Sequence, residues 1–160
     1  MNVRLATNDD FDGILRLAGQ VEYLFGPMVE DPSFHATVRA NIDAEVGIVA
    51  MVEDRLVGGL LFTKTDARLF EIGWLAVDEA YRSMRVGRAM LVDAIARWVH
   101  PPADIEVIAL GPDHPGAASV AFYERLGFEF VEPEDPGADG GSRDRLRLSI
   151  DRELPVWATG

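Results

Sequence analysis

The sequence predicts one mixed α/β domain. Three observations carry this: hydrophobic spacing that switches between helical and strand-like periods, the order of those segments, and a size suited to one core. The 160 residues are 48% apolar and 26% charged, and a chain of this length buries enough surface to fold without staples. There is no Cys, which excludes disulfide frameworks, Cys-based zinc sites and thiol nucleophiles. No repeat, low-complexity tract or linker divides the chain, so the expectation is one domain over 1–152 followed by a tail over 153–160.

Each element follows from its local pattern. A strand over 3–7 leads into Thr7-Asn8-Asp9-Asp10, which offers caps for a helix carrying Phe11, Ile14, Leu15, Leu17 and Ala18 and ending near Gly26-Pro27. Asp31 caps a second helix over 32–42, with Phe34, Val38 and Ile42 on one side. Strand periods then cover 46–53, 56–65 and 68–77, with turns at Asp54-Arg55 and Asp66-Ala67. The third of these is apolar on both faces, as a doubly covered central strand is, and Glu71 is its only interior charge. After a turn over 78–81 a helix runs over 86–99, with Ala89, Met90, Val92, Ala96 and Trp98 among its apolar positions, until Pro101-Pro102 stops it. A buried strand over 105–110, a helix over 116–126 closed by Gly127, and strands over 128–131 and 145–150 complete the chain. Between the last two strands, 132–142 reads as a polar, mobile loop. The order is β-α-α-β-β-β-α-β-α-β-β.

The formal charge is −12, from 27 acidic and 15 basic residues. Such a field disfavours nucleic acid and anionic membranes as partners. No apolar run is long enough to span a bilayer, and Met1-Asn2-Val3-Arg4 does not open a signal peptide, so a cytoplasmic location is expected. His35, His100 and His114 show no metal-ligand spacing and read as surface or capping residues, with His35 a minor candidate for the substrate mouth; no metal is expected.

All basic residues but Lys64 are arginine, and Arg82, Arg85 and Arg88 fall within seven positions. They decorate a strand-to-helix turn, where unpaired N–H groups and the helix dipole converge on one spot suited to phosphate. The alternative is an exposed helix start that is merely basic. Neither a dinucleotide fingerprint nor a nucleotide P-loop is present.

This segment carries a resemblance. Glu71-Ile72-Gly73-Trp74-Leu75-Ala76-Val77-Asp78 through Arg82-Ser83-Met84-Arg85-Val86-Gly87-Arg88-Ala89 looks like the acetyl-CoA motif, [QR]-x-x-G-x-[GA], of the GCN5-related N-acetyltransferases (GNAT family). Phe122-Tyr123-Glu124-Arg125-Leu126-Gly127-Phe128 is similar to the family's second signature, Y-x-x-x-G-F, and the element order extends the resemblance over essentially the whole chain. It implies a GNAT-type fold, a mixed central sheet of about seven strands with flanking helices, and an acetyl-CoA-dependent N-acetyltransferase. Two positions depart: Arg85 replaces the first motif glycine, and Gly116 stands where an Asn is frequent. If Arg85 N–H faces the diphosphate, the side chain adds a charge-assisted contact, which is the expectation; if the backbone needs a positive φ, affinity suffers.

The resemblance further implies site residues. Main-chain groups of Leu75, Ala76 and Val77 would hold the pantetheine arm, and N–H groups of Arg85, Val86, Gly87, Arg88 and Ala89, with Arg82 beside them, the diphosphate. Glu71 matches the position of a general base whose pKa burial would raise, and its alternative role is a structural carboxylate bonded to Arg68 or reaching solvent. Tyr123 stands where a tyrosine protonates or hydrogen-bonds the coenzyme sulfur, against a packing role beside Phe122 and Phe128. A backbone N–H near Leu75 would steady the oxyanion. With no Cys and no G-x-S-x-G elbow, direct attack in a ternary complex is expected.

In this fold the acceptor would enter over the first two helices and their connection. There Tyr23, Phe25 and Glu30, with Glu22 and Asp31, would hold a cationic small amine or basic peptide terminus by aromatic contact and charge, unless they form a packed helix end with solvated acids. The family resemblance also leaves open a non-catalytic acyl-CoA-binding module and a homodimer.

Overall fold

The computed structural model describes residues 1–111, 118–137 and 141–159. His114, Pro115 and Gly116, and with them the expected helix start and the second motif departure, lie outside the described residues. Seven strands form one sheet: β1 (Asn2–Leu5), β2 (Gly47–Val52), β3 (Arg55–Lys64), β4 (Leu69–Val77), β5 (Ala103–Leu110), β6 (Glu129–Glu134) and β7 (Arg143–Ile150). Their spatial order is β1-β2-β3-β4-β5-β7-β6. All neighbours are antiparallel except β4 and β5, which are parallel. This is the expected mixed seven-stranded sheet, with helices on both faces.

Helices α1 (Phe11–Phe25) and α2 (Pro32–Asp43) cover one face, burying Leu17, Ala18 and Val38 against Val49, Leu61 and Trp74. The other face packs Met90, Leu91 and Ile95 of α3 (Val86–Trp98), Tyr123 of α4 (Ala118–Arg125) and Leu126 just after it onto Leu60, Phe62 and Ile105. The start of α1 follows the cap pattern: Thr7 N–H donates to Asp10 Oδ2 at 2.8 Å, and Arg4 Nη1 clamps the same oxygen at 2.8 Å. Among the described residues no helix is long and apolar enough to cross a membrane.

Several boundaries move. The segment 132–142 does not start as a loop: β6 continues to Glu134, with Glu132 opposite Arg145 and Glu134 opposite Arg143. Cross-strand charge pairs make a polar strand stable there, because Arg145 reaches Glu106, Glu132 and Glu134 at once. In α3 the buried face is Val86, Gly87, Met90, Leu91, Ala94 and Ile95, so Val92 and Ala96 lie off it. The turn after β4 is a 3-10 helix over Glu79–Met84. The tail folds back as α5 (Val156–Thr159), burying Ala158, and Trp157 Nε1–H donates to Leu126 O at 2.8 Å on its own domain.

Two irregularities in β4 position the site. Leu61 opposes Trp74 while Phe62 opposes Ile72, so Gly73 is an extra residue, a bulge that reverses the alternation of faces. Phe70 and Ile72 before it, and Leu75 and Val77 after it, pack on the α3 side, whereas Trp74 and Ala76 pack on the α1 side. Secondly, β4 and β5 pair only from Leu69↔Asp104 to Ile72↔Val107, and past that point the strands part.

The far end of β4 is pinned by Asp78, which is 2% exposed. Its carboxylate accepts from Ala80 N and Arg55 at 3.0 Å, Gln20 at 3.3 Å and Arg16 at 3.4 Å. Burial alone would push this carboxyl up, but those four donors together lower it from 3.8 to about 2. Asp78 therefore ties α1, β3 and the following turn to one charge. Its contribution is complete above about pH 4 and is lost as pH falls towards 2. Asp78→Asn is expected to lower the unfolding free energy at pH 7 by about 2 kcal/mol. In urea titrations the gap between the two proteins narrows from pH 4 to pH 2, and a gap independent of pH contradicts this role.

Candidate functional site

Where β4 and β5 separate, a cavity of about 960 Å³ passes through the sheet. Its walls are Ile72 to Val77 of β4 and Val107 to Leu110 of β5, and it runs from the turn before α3, past α4, to the ends of α1 and α2. Asp78 N–H donates to Val57 O on β3 at 2.8 Å. Hydrogen-bonded pairs alternate along an antiparallel ladder, so Ala76, opposite Gly59, also turns its main chain to β3. The groups of Leu75 and Val77 face the gap. Of the three residues expected to offer main-chain bonds, Ala76 is therefore corrected: its N–H and C=O belong to the sheet.

The turn that enters α3 brings Arg82, Arg85, Val86, Gly87 and Arg88 to the cavity wall. The first-turn N–H groups of a helix have no intrahelical acceptor, which leaves those of Val86, Gly87 and Arg88 open. Ala89 N–H instead donates to Arg85 O at 3.0 Å, so Ala89 drops out of the expected cradle. A Cβ on Gly87 would meet Phe122 Cζ at 3.2 Å, which keeps this position small.

Arg85 lies at φ 59°, ψ 30°, the left-handed region. The expected relaxed backbone is corrected here: the turn from the 3-10 helix into α3 demands a glycine conformation whatever residue fills it. The strain costs about 1–2 kcal/mol, and in exchange the guanidinium stands on the cavity wall beside Arg82 and Arg88.

Tyr123 lines the cavity, 6% exposed, with edge contacts to Phe122 and Phe128 at centroid distances of 5.0 and 5.4 Å. Burial pushes its phenol well above the ordinary value of 10. The proton therefore stays on the oxygen throughout the neutral range, so hydrogen-bond donation is retained while full proton release becomes harder.

Glu71 does not line the cavity. It lies opposite Thr63 of β3 and beside Glu106 of β5, on the α1 face, one residue below the parting of the strands. Glu106 is held by Arg145 Nη1 at 2.9 Å and Arg147 Nε at 2.8 Å. Among the described residues Glu71 has neither an ion pair nor a bond to Arg68.

At the mouth, Tyr23 (64% exposed) and Phe25 line the cavity, but Glu30 is corrected: it is exposed and outside the wall. Glu22 accepts from Met28 N at 2.7 Å and Asp31 caps α2 through Ser33 N at 2.9 Å, so these acids hold the loop and not a ligand. His35 Nε2 bonds Val29 O and likewise pins the loop. Sequence reasoning missed Phe34, Trp74, Arg143 and Ser119, all on the wall. Trp74 was legible only as core, because its alternation is reversed by the bulge.

The wall fits an acyl-coenzyme A: an unpaired stretch of β4, three arginines at a helix start, and a Ser119 Oγ buried without a partner among the described residues. No curated protein matches the chain. Ard1 from Thermoplasma volcanium superposes with a TM-score of 0.77 at 17% identity, over 93% of this chain and 97% of that one. Ribosomal-protein-alanine N-acetyltransferase from Brucella melitensis gives 0.72 at 18%, over 94% and 100%. The yncA protein from Salmonella typhimurium, solved with its cofactor acetyl-CoA, gives 0.70 at 17%, over 97% and 96%.

One substitution series tests the turn. Arg85→Gly removes the strain at the cost of a looser unfolded chain and leaves the melting temperature equal or higher. Arg85→Val, β-branched at the same φ, lowers stability by about 1 kcal/mol or more; equal loss in both variants contradicts the assignment. Residues 15–128 match the acetyltransferase (GNAT) family, and the chain belongs to that family of acetyl-CoA-dependent enzymes.

Proposed function

We propose that this protein transfers the acetyl group of acetyl-CoA to a primary amine, which attacks directly with no acyl-enzyme. One observation carries the reading: a single continuous cavity joins the arginine turn, the unpaired edge of β4, Tyr123 and the mouth between α1 and α2. Donor and acceptor therefore share one space, as direct attack needs. The N-acetyltransferase from Brucella melitensis shares this fold, which supports the amine as acceptor class.

Acetyl-CoA supplies an activated thioester. Leu75 and Val77 would hold its pantetheine arm by main-chain bonds, and Val86, Gly87 and Arg88 N–H, with the guanidinium groups of Arg82, Arg85 and Arg88, its diphosphate. Tyr123 keeps a proton on its phenol oxygen and donates it as a hydrogen bond to the departing sulfur. Glu71, next to the wall residue Ile72, is a carboxylate on the acceptor face with no ion pair among the described residues, whereas its neighbour Glu106 is neutralised by two arginines. It takes the proton of the incoming ammonium through water, and the proton that the nitrogen sheds as the amide forms goes to the departing thiolate.

The absence of Cys lets released thiol be assayed without protein background. Tyr123→Phe and Glu71→Gln are each expected to lower kcat by roughly 10- to 100-fold, with the CoA dissociation constant within about twofold. An unchanged kcat removes the residue from the reaction. CoA binding with no thiol release across a broad amine panel would favour a non-catalytic acyl-CoA-binding module.

A further inference from the structure

The acceptor end of the cavity differs in chemistry from the molecule that surrounds it. Despite the net charge of −12, no Asp or Glu among the described residues lines the cavity, and every charged group that does is an arginine. The mouth and floor are Tyr23, Phe25, Met28, Phe34 and Trp74. Of the acids flanking the mouth, Glu22 and Asp31 are engaged in loop and capping bonds and Glu30 is exposed, while Glu71 lies outside the wall. A polycation entering here would lose water and find no counter-charge on the wall, with Glu71 behind it able to meet one ammonium at most, while an apolar ring would find apolar walls.

A second observation concerns the floor. Trp74 is 8% exposed, and its Nε1–H is buried without a hydrogen-bond partner among the described residues. The indole packs its benzo corner on Gly59, where a Cβ would stand 2.8 Å from Cζ3, and its edge on Phe34, with ring centroids 5.5 Å apart. Its N–H lies across the ring from that corner. A buried donor left unpaired destabilises the free protein, and an oxygen seated on the floor would relieve this with a small rotation of the indole.

We infer that the acceptor is a single amine on an apolar body of about aromatic size, bearing a carbonyl or carboxylate oxygen near the amine that Trp74 Nε1–H engages. Polyamines and aminoglycoside-like polycations are poor acceptors. The inference rests on the amine-acetylation reading above and names the substrate class of that same site.

The test is a steady-state comparison at saturating acetyl-CoA of phenylalanine amide, phenethylamine and spermidine. Phenylalanine amide is expected to exceed spermidine in kcat/KM by at least 100-fold. Trp74→Phe, which keeps a ring but removes the N–H, raises KM for phenylalanine amide about tenfold and leaves that for phenethylamine, which has no oxygen, within twofold. Phe25→Glu, at the exposed mouth, cuts the preference over spermidine by at least tenfold. A wild-type preference for spermidine overturns the inference, as does a Trp74→Phe variant that shifts both aromatic amines equally. Binding of the three amines to the CoA complex, read by tryptophan fluorescence, separates the two claims. Selective binding of phenylalanine amide without acetylation would sink the reaction and leave this inference standing, and acetylation that favours spermidine would do the reverse.

Discussion

Past Ile72 and Val107 the two central strands stop sharing hydrogen bonds while each keeps its outer partner, β3 on one side and β7 on the other. Backbone donors and acceptors left unpaired in the middle of a sheet are costly unless water or a ligand meets them. The rest of the site is arranged around that interruption. The gap is a wall with unused main-chain groups at Leu75 and Val77, and it connects the two faces of the sheet into one cavity. A strand pair that stayed zipped to Val77 would leave no space for a thioester or for its acceptor.

Holding the strands apart requires anchors at the far end of β4. Asp78 provides one by gathering Arg16, Gln20 and Arg55 onto a single buried carboxylate, so that α1 and β3 fix the turn leading to α3. The bulge at Gly73 provides the other, turning Trp74 to the acceptor side and Leu75 to the side of α3. Arg85 then enters α3 through a left-handed residue. The turn keeps its shape with a side chain where a glycine would be free of strain, and that side chain brings a guanidinium to the cavity wall.

Much of this was readable from residue patterns. Helical and strand periods gave the element order, the Thr7–Asp10 box and the cap at Asp31 behave as capping chemistry demands, and two motifs pointed to the arginine turn and Tyr123, which the structure brings to one cavity. What escaped depends on contacts between distant segments. A polar stretch became the end of β6 because Arg143 and Arg145 stand opposite its glutamates. The acids near the mouth looked like a cation site, yet Glu22 and Asp31 are spent on local N–H groups, which charge counting does not reveal. Trp74 was hidden by a one-residue bulge, since strict alternation assigns it to the opposite face.

Residue-resolved amide exchange, with and without CoA, measures the central claim most directly. In the free protein Ala76 and Ala89 N–H, already bonded within the fold, exchange slowly, while Leu75, Val77, Val86, Gly87 and Arg88 exchange faster. Saturating CoA should slow those five and leave the first two nearly unchanged. Tight CoA binding with no added protection at Leu75 and Val77 would contradict the account, because the parted edge of β4 would then not be what holds the coenzyme.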